Sequence, residues 1–309
     1  MSIRSSFSVD ELRLDPGRRR RESLIRGAFF LAAALAIVIS VAIVLAMLGG
    51  TIKFLQGVDP AALLADAWQP RSEDYGLVTI ISGTLVIAVI AMFVATPLGL
   101  GAAMYLAEYA SPRLRGWLKP ILEILATIPS VVLGFFALTV LSPTVVDFVC
   151  PGSTPLFSLA SAGVAVGILI TPLIASISED AMYAVPNSLR EASYGLGARR
   201  RTTSIRIVVP AAVSGIVASL IVGFSRAIGE TMIVAIAAGG VGGAVFNLNP
   251  CLPGQTMTGA MTVIAIGSDA VGGGVAFQSL FFVGLLLFFM TLALNLVSEV
   301  FVRRMRKGY

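Results

Sequence analysis

The chain has 309 residues, of which 57% are hydrophobic and only 13% charged, and its mean hydropathy is +0.92. A soluble domain carries about a quarter charged residues, so the composition argues against a water-exposed enzyme core. His is absent and there are two cysteines, Cys150 and Cys251. This removes histidine chemistry and any zinc or iron–sulfur motif, so neither a metal site nor a cofactor is expected.

The first 25 residues are polar and contain "RRRR" at 18–21. Beside an apolar run, such a cluster is read as a topology signal, not a nucleic-acid site. Residues 1–25 are therefore a cytoplasmic basic tail, with no cleavable signal peptide expected. Six apolar runs follow, each long enough to cross a bilayer. They cover 26–48, about 77–107, about 120–141, about 157–178, about 207–238 and 277–301. The first span and its external loop fill 26–75, the bundle proper 76–303, and a short cytoplasmic tail 304–309.

Lys and Arg set the orientation, because cytoplasmic segments carry the excess. With the N-terminus inside, nineteen of the 22 fall in cytoplasmic segments. Lys53 and Arg71 are external, and Arg226 lies inside the fifth run. Both termini then face the cytoplasm. Cys150 and Cys251 fall in the two larger external loops, beside Pro and Gly. There they form either a disulfide, which an oxidising exterior permits, or two unrelated small apolar side chains. Asp147 and Asp269 are also placed outside, where a docking protein could meet them.

The most specific stretch lies between the fourth and fifth runs, "VPNSLREASYGLGARRRTTSIRIVVPAAVSGI" (185–216). Pro186 and Asn187 suit a helix opening. A short helix is expected through about 198, ended by Gly195 and Gly197. Glu191, Ala192 and Ser193 are followed by three residues, then Gly197, nine residues, then Ile207, Val208, Val209 and Pro210. This resembles the EAA loop of ABC importer permeases, with Ser193 for Ala and Val209 for Leu as departures. The resemblance implies an all-α membrane protein of six transmembrane helices with the type I, MetI-like architecture. It also implies that the short helix, about 186–198, docks on a cytoplasmic ATP-binding subunit and acts as a lever. Glu191, Ala192, Ser193, Gly197 and Pro210 are its coupling residues. The alternative is a solvated amphipathic connector.

Arg226 and Glu230 are the only charged residues in "IVVPAAVSGIVASLIVGFSRAIGETMIVAIAAGG". A charge at mid-bilayer costs about 2.5–3.5 kcal/mol on insertion scales, and such residues face a bundle interior or a polar path. On a helix continuous from the lever to this pair, the i,i+4 spacing places both on one face. They can neutralise each other as a structural pair, or share a polar ligand. A guanidinium matches a tetrahedral oxyanion. A carboxylate accepts from a protonated P–OH and repels a fully ionised sulfate.

"SRAIGETMIVAIAAG" (225–239) and "ATIPSVVLGFFAL" (126–138) are similar to segments of phosphate-importer permeases of the PstC type. That resemblance covers about residues 76–303 and implies inorganic phosphate as solute. Arg226 and Glu230 are the substrate-path residues it carries over, with Thr231, Ser130 and Thr127 as lesser ones. It implies a second permease of the PstA type, two ATP-binding subunits of the PstB type and an external phosphate-binding protein of the PstS type, in a bacterial plasma membrane. The chain contains no G-x-x-x-x-G-K-[ST] sequence, so ATP hydrolysis is assigned to another chain. The alternatives are a permease for another oxyanion, a PstA-type subunit, or a channel or secondary transporter acting alone. A membrane-embedded enzyme is disfavoured because one Arg–Glu pair is too few catalytic groups.

Overall fold

A computed structural model describes residues 16–151, 156–240, 243–267 and 274–306. Asp269 and most of the N-terminal tail lie outside the described residues. Two units are distinguished, one ending at Gly49 and one starting at Gly50.

Helix α1 (Pro16–Gly57) is one uninterrupted helix. Most of its apolar residues between Leu24 and Leu48 are exposed, which suits a helix in hydrocarbon.

In the second unit, α2 (Leu77–Met104) continues through a π-helical turn, Tyr105–Tyr109. α3 (Pro112–Leu125) follows, capped by the Ser111 side chain on the Leu114 amide. α4 (Ser130–Phe136), a π-helical stretch (Ala137–Val146) and α5 (Asp147–Val149) form one rod. α6 (Leu159–Tyr183) starts on the Ser158 cap. Then come α7 (Asn187–Gly195), α8 (Arg200–Thr203), a π-helical turn (Ser204–Val208), α9 (Val209–Ala211), α10 (Val213–Ile228), α11 (Met232–Ala237), α12 (Met257–Ile266) and α13 (Val275–Arg306).

Among the described residues, five helices are long and apolar enough to cross a membrane, and six if the pair 200–211 and 213–228 is one bent span. α2 and α6 form the centre. Gly99, Gly163 and Gly167 make this close approach possible. A Cβ on Gly163 would meet Ile90 at 2.7 Å, and one on Gly167 would meet Val94 at 2.8 Å. Small residues at such crossings let backbones approach where lipid supplies no hydrophobic drive.

Two expectations are corrected. The third span does not run over 120–141. α3 ends at Leu125, residues 126–129 are a non-helical turn, and the apolar rod is Ser130–Val149. Pro129 has no N–H to give and disfavours helix in the residue before it. The fifth span is not one continuous helix. It bends by 71° at Ala212, just after Pro210, and stops again at Gly229. The expected all-α architecture holds, with one small sheet beside the helices. A three-stranded sheet in the order β2-β1-β3 joins β1 (Ala67–Gln69), β2 (Asp74–Tyr75) and β3 (Ala244–Val245). Trp68 and Tyr75 from these strands pack edge-on, and Tyr75 packs edge-on against Phe54.

Candidate functional site

Two places carry the polar groups of the second unit. The first is the break in the fifth span. α10 ends at Ile228, and Gly229 caps it with φ −85° and ψ 0°. Glu230 and Thr231 lie in the gap before α11. The chain compensates for the lost helical bonds with side chains. The Glu230 carboxylate accepts from the Ile233 amide at 3.4 Å, and the Thr258 hydroxyl donates to the Glu230 carbonyl at 2.7 Å. Glu230 is buried, at 7% exposure.

Arg226 sits one turn earlier and is exposed on the isolated chain, as is Val222 four residues before it. Among the described residues Arg226 forms no ion pair, with Glu230 or any other acid. The expectation of one shared helix face fails, because i,i+4 geometry ends where the helix ends. Facing this gap from the third span, α4 packs on α11 through Gly134. A Cβ there would meet Ile236 at 3.0 Å and the Ile233 backbone at 3.4 Å. Ser130 is the first residue of α4 and is half-buried. Thr231 donates to the Gly229 carbonyl and Thr127 to that of Ile124, so both hydroxyls satisfy their own backbone.

The second place is the charged loop. α7 covers Asn187–Gly195 and ends in a paired cap. The Gly197 amide donates to Tyr194 O at 2.9 Å and the Ala198 amide to Ser193 O at 3.1 Å. This is the Schellman arrangement, which needs a left-handed residue after the helix. Gly197 supplies it at φ +78°. Ser193 is buried and shares a 2.8 Å hydrogen bond with Thr203, tying α7 to α8. Glu191, Ala192 and Leu196 remain exposed.

Two buried carboxylates anchor the elements around this loop. Glu108, in the π-helical turn after α2, is 5% exposed. It accepts from Arg190 Nε at 3.0 Å and Nη2 at 2.9 Å, and from the Ser204 hydroxyl at 3.2 Å. Glu179 in α6 is fully buried. Arg115 Nη2 lies 2.5 Å from its Oε1 and Lys119 Nζ 2.8 Å from its Oε2. The Arg115 contact is an ion pair without hydrogen-bond alignment. The Arg115 guanidinium also lies 3.5 Å over the Tyr183 ring. Lys119 further pairs with Asp180. Partial burial works against its charged form, but the bonds to Asp180 and Glu179 outweigh this, and its pKa stands above the ordinary lysine value. α3 is thus turned with its cations toward α6, while Trp117, Ile121 and Ile124 are exposed.

Nothing in the sequence alone groups Glu108 with Arg190, or Glu179 with Arg115 and Lys119, since each pair is far apart along the chain. The signal available was "SISED" closing an apolar run, with basic residues at 115 and 119. On the other side of the unit, Cys150 and Cys251 are joined by a disulfide across 101 residues of sequence.

The family model described as binding-protein-dependent transport system inner membrane component matches residues 95–307. The chain belongs to this family. Members are components of multi-pass inner-membrane transport systems, which accounts for a bundle of apolar helices carrying an exposed loop helix. Among relatives, a probable ABC transporter permease protein YqgH of Bacillus subtilis is 32% identical over 93% of this chain and 94% of its own length. A phosphate transport system permease protein PstC of Xylella fastidiosa is 32% identical over 89% of each chain. The fold is that of ABC importer permeases. A chain of the inward-facing MetNI methionine transporter superposes with a TM-score of 0.54 at 20% identity, over 72% of this chain and 93% of that one.

Proposed function

We propose that the chain is the PstC-type permease subunit of an ATP-driven phosphate importer. Arg226 carries the reading. It is a cation inside an apolar span, exposed at a helix break, with no intrachain ion pair among the described residues. A guanidinium left open in a membrane helix requires a polar partner from elsewhere, and its planar donors suit a tetrahedral oxyanion. Glu230, buried one gap away with its carboxylate on the Ile233 amide, sets the anionic limit of the same path. It accepts from a solute that still carries a proton and repels one that does not. Ser130 and Thr231 line the two facing breaks and supply hydroxyls. The names of the PstC relatives support phosphate as the solute.

The exposed face of α10 that holds Val222 and Arg226 meets a second permease of the PstA type across the path. α7 docks on one of two PstB-type ATP-binding subunits through Glu191, Ala192 and the exposed Leu196. A PstS-type protein delivers phosphate from outside. The Lys and Arg asymmetry puts both termini in the cytoplasm. Energy comes from the partner ATPases, and the chain itself performs no chemistry and holds no cofactor.

The test is phosphate uptake into vesicles containing the assembled complex, with and without internal ATP. ATP-dependent accumulation of phosphate, lost on Arg226→Lys, is the expected result. Uptake without ATP points to a stand-alone carrier. ATP-dependent uptake of sulfate in preference to phosphate overturns the assignment of solute.

A further inference from the structure

Arg190 is a single side chain that holds three separate elements. Its Nε and Nη2 donate to Glu108 Oε1, at the end of α2. Nη2 also donates to Met182 O at 2.8 Å, and Nη1 to Val185 O at 2.5 Å, both at the C-terminal end of α6. Nη1 reaches Asn187 Oδ1 at 3.2 Å, within the first turn of its own helix. A guanidinium has five N–H donors, and these five bonds engage all of them. The opposing carboxylate is used on both oxygens, since Glu108 Oε2 accepts from Ser204. Ser204 opens the π-helical turn that leads into α9 and α10.

We propose that Glu108, Arg190 and Ser204 form a clasp that makes α7 move as one body with α2, α6 and the start of the fifth span. Arg190 and Glu108 are its positioning residues. The proposal rests on the reading of the chain as the permease of an ATP-driven importer. It adds which side chains carry the stroke of α7 into the spans.

Three observations favour a clasp over a passive ion pair. First, both partners are nearly dry, with side-chain exposures of 14% for Arg190 and 3% for Glu108. Low local dielectric makes such a pair rigid when satisfied and costly when opened. Second, Glu108 and Ser204 both lie in π-helical turns. Such turns recur at functional sites, and here they displace the two residues from regular helical register. Third, without the clasp the direct links from α7 are weak levers. The chain from Tyr183 to Asn187 is a non-helical turn, and the Ser193–Thr203 bond reaches only α8. The open side of the clasp is a cavity of about 440 Å³ whose lining includes Glu108, Arg190, Tyr194 and Arg200.

Lysine has three donors on one point and cannot span two carbonyls, a carboxylate and an amide oxygen together. Arg190→Lys in the assembled complex, in vesicles, is the test. The ratio of phosphate taken up to ATP hydrolysed should fall by about tenfold, within what residues on a coupling route supply, while hydrolysis and recovery of the ATPase subunits with the permease stay unchanged. Ser204→Ala, which removes a hydroxyl that Glu108 shares with the Arg200 carbonyl and leaves the ion pair in place, should lower the same ratio by less. A fall of hydrolysis and uptake in equal proportion, or an unaltered ratio in both variants, overturns the clasp.

A second readout does not depend on phosphate. Spin labels at Ser188→Cys and Tyr105→Cys should keep one separation in nucleotide-free and ATP-bound states, and should acquire two in the presence of Arg190→Lys. A separation that already changes between states with Arg190 intact overturns the proposal. If the complex takes up no phosphate yet the labels behave as expected, the assignment of solute fails and the clasp stands.

Discussion

The cytoplasmic loop and the break at Gly229 use charge in opposite ways. Around the loop every buried carboxylate meets its cations within the chain, with Glu108 on Arg190 and Glu179 on Arg115 and Lys119. At the break, the Glu230 carboxylate accepts from a backbone amide instead of a cation, and among the described residues Arg226 makes no ion pair. The first arrangement is closed and mechanical, since satisfied networks in low dielectric are stiff. The second is incomplete, and an incomplete polar site in a membrane protein is completed by a solute or a partner. On the proposed reading, solute recognition belongs to the open site and mechanical coupling to the closed one.

The strongest way to break this contrast is Glu179→Ala. It removes the buried carboxylate that Arg115 and Lys119 share, and removing one partner of a buried pair costs about 3–5 kcal/mol, with the lower end expected because Lys119 keeps Asp180. Thermal unfolding in detergent should shift down sharply, and an unchanged midpoint would show that the cations find water instead. Arg226→Ala should do the reverse. Its unfolding midpoint should match the parent, within about 0.5 kcal/mol as for other exposed positions. Phosphate uptake should drop about tenfold to a hundredfold, because hydrogen bonds to charged groups contribute about 1.5–3 kcal/mol. A large loss of stability would mean that Arg226 is structural.

Gly197→Ala gives a smaller effect that sharpens the mechanical side. A Cβ there meets nothing within 4 Å, so only the positive φ is at stake. The strain of a left-handed non-glycine residue is about 1–2 kcal/mol. Binding of the ATPase subunits, followed by pull-down titration, should weaken about fivefold or somewhat more. An unaffected affinity would show that α7 docks without its cap.

The smallest effect is on pH. The Lys119 pKa is raised in the folded chain. A raised lysine contributes stability that is fully present below its ordinary value and lost only as pH climbs through the folded one. The difference in unfolding midpoint between parent and Lys119→Met should therefore stay flat from pH 6 to 9 and shrink only above about 10.5. A difference that already shrinks near neutrality would show that Lys119 is not paired in solution.

Much of the architecture was legible because its signals are local. The hydropathy of each run, the Pro and Gly that end helices, and the spacing from Glu191 to Pro210 all act within a few residues. The α7 helix falls at Asn187–Gly195 for that reason, and Gly197 takes the left-handed cap that only a few residue types tolerate. The breaks were harder to place. Pro129 and Pro210 were visible, yet whether a proline kinks, bends or ends a span depends on what else satisfies the freed carbonyls. The same holds for the stop at Gly229, where the next carbonyl, that of Glu230, is satisfied by Thr258, 28 residues further on.

Composition and motif spacing by themselves determined that this chain crosses a membrane, that it has six apolar runs, and that a short helix lies in the charged loop between the fourth and fifth of them. Only the tertiary structure decided which charges meet. Glu108 finds Arg190 across 82 residues and Ser204 across 96, while Arg226 and Glu230, four residues apart, do not pair. Sequence distance governs contact only while one helix persists. Beyond its end, the close approach of α2 and α6 through small residues fixes where each polar group lies.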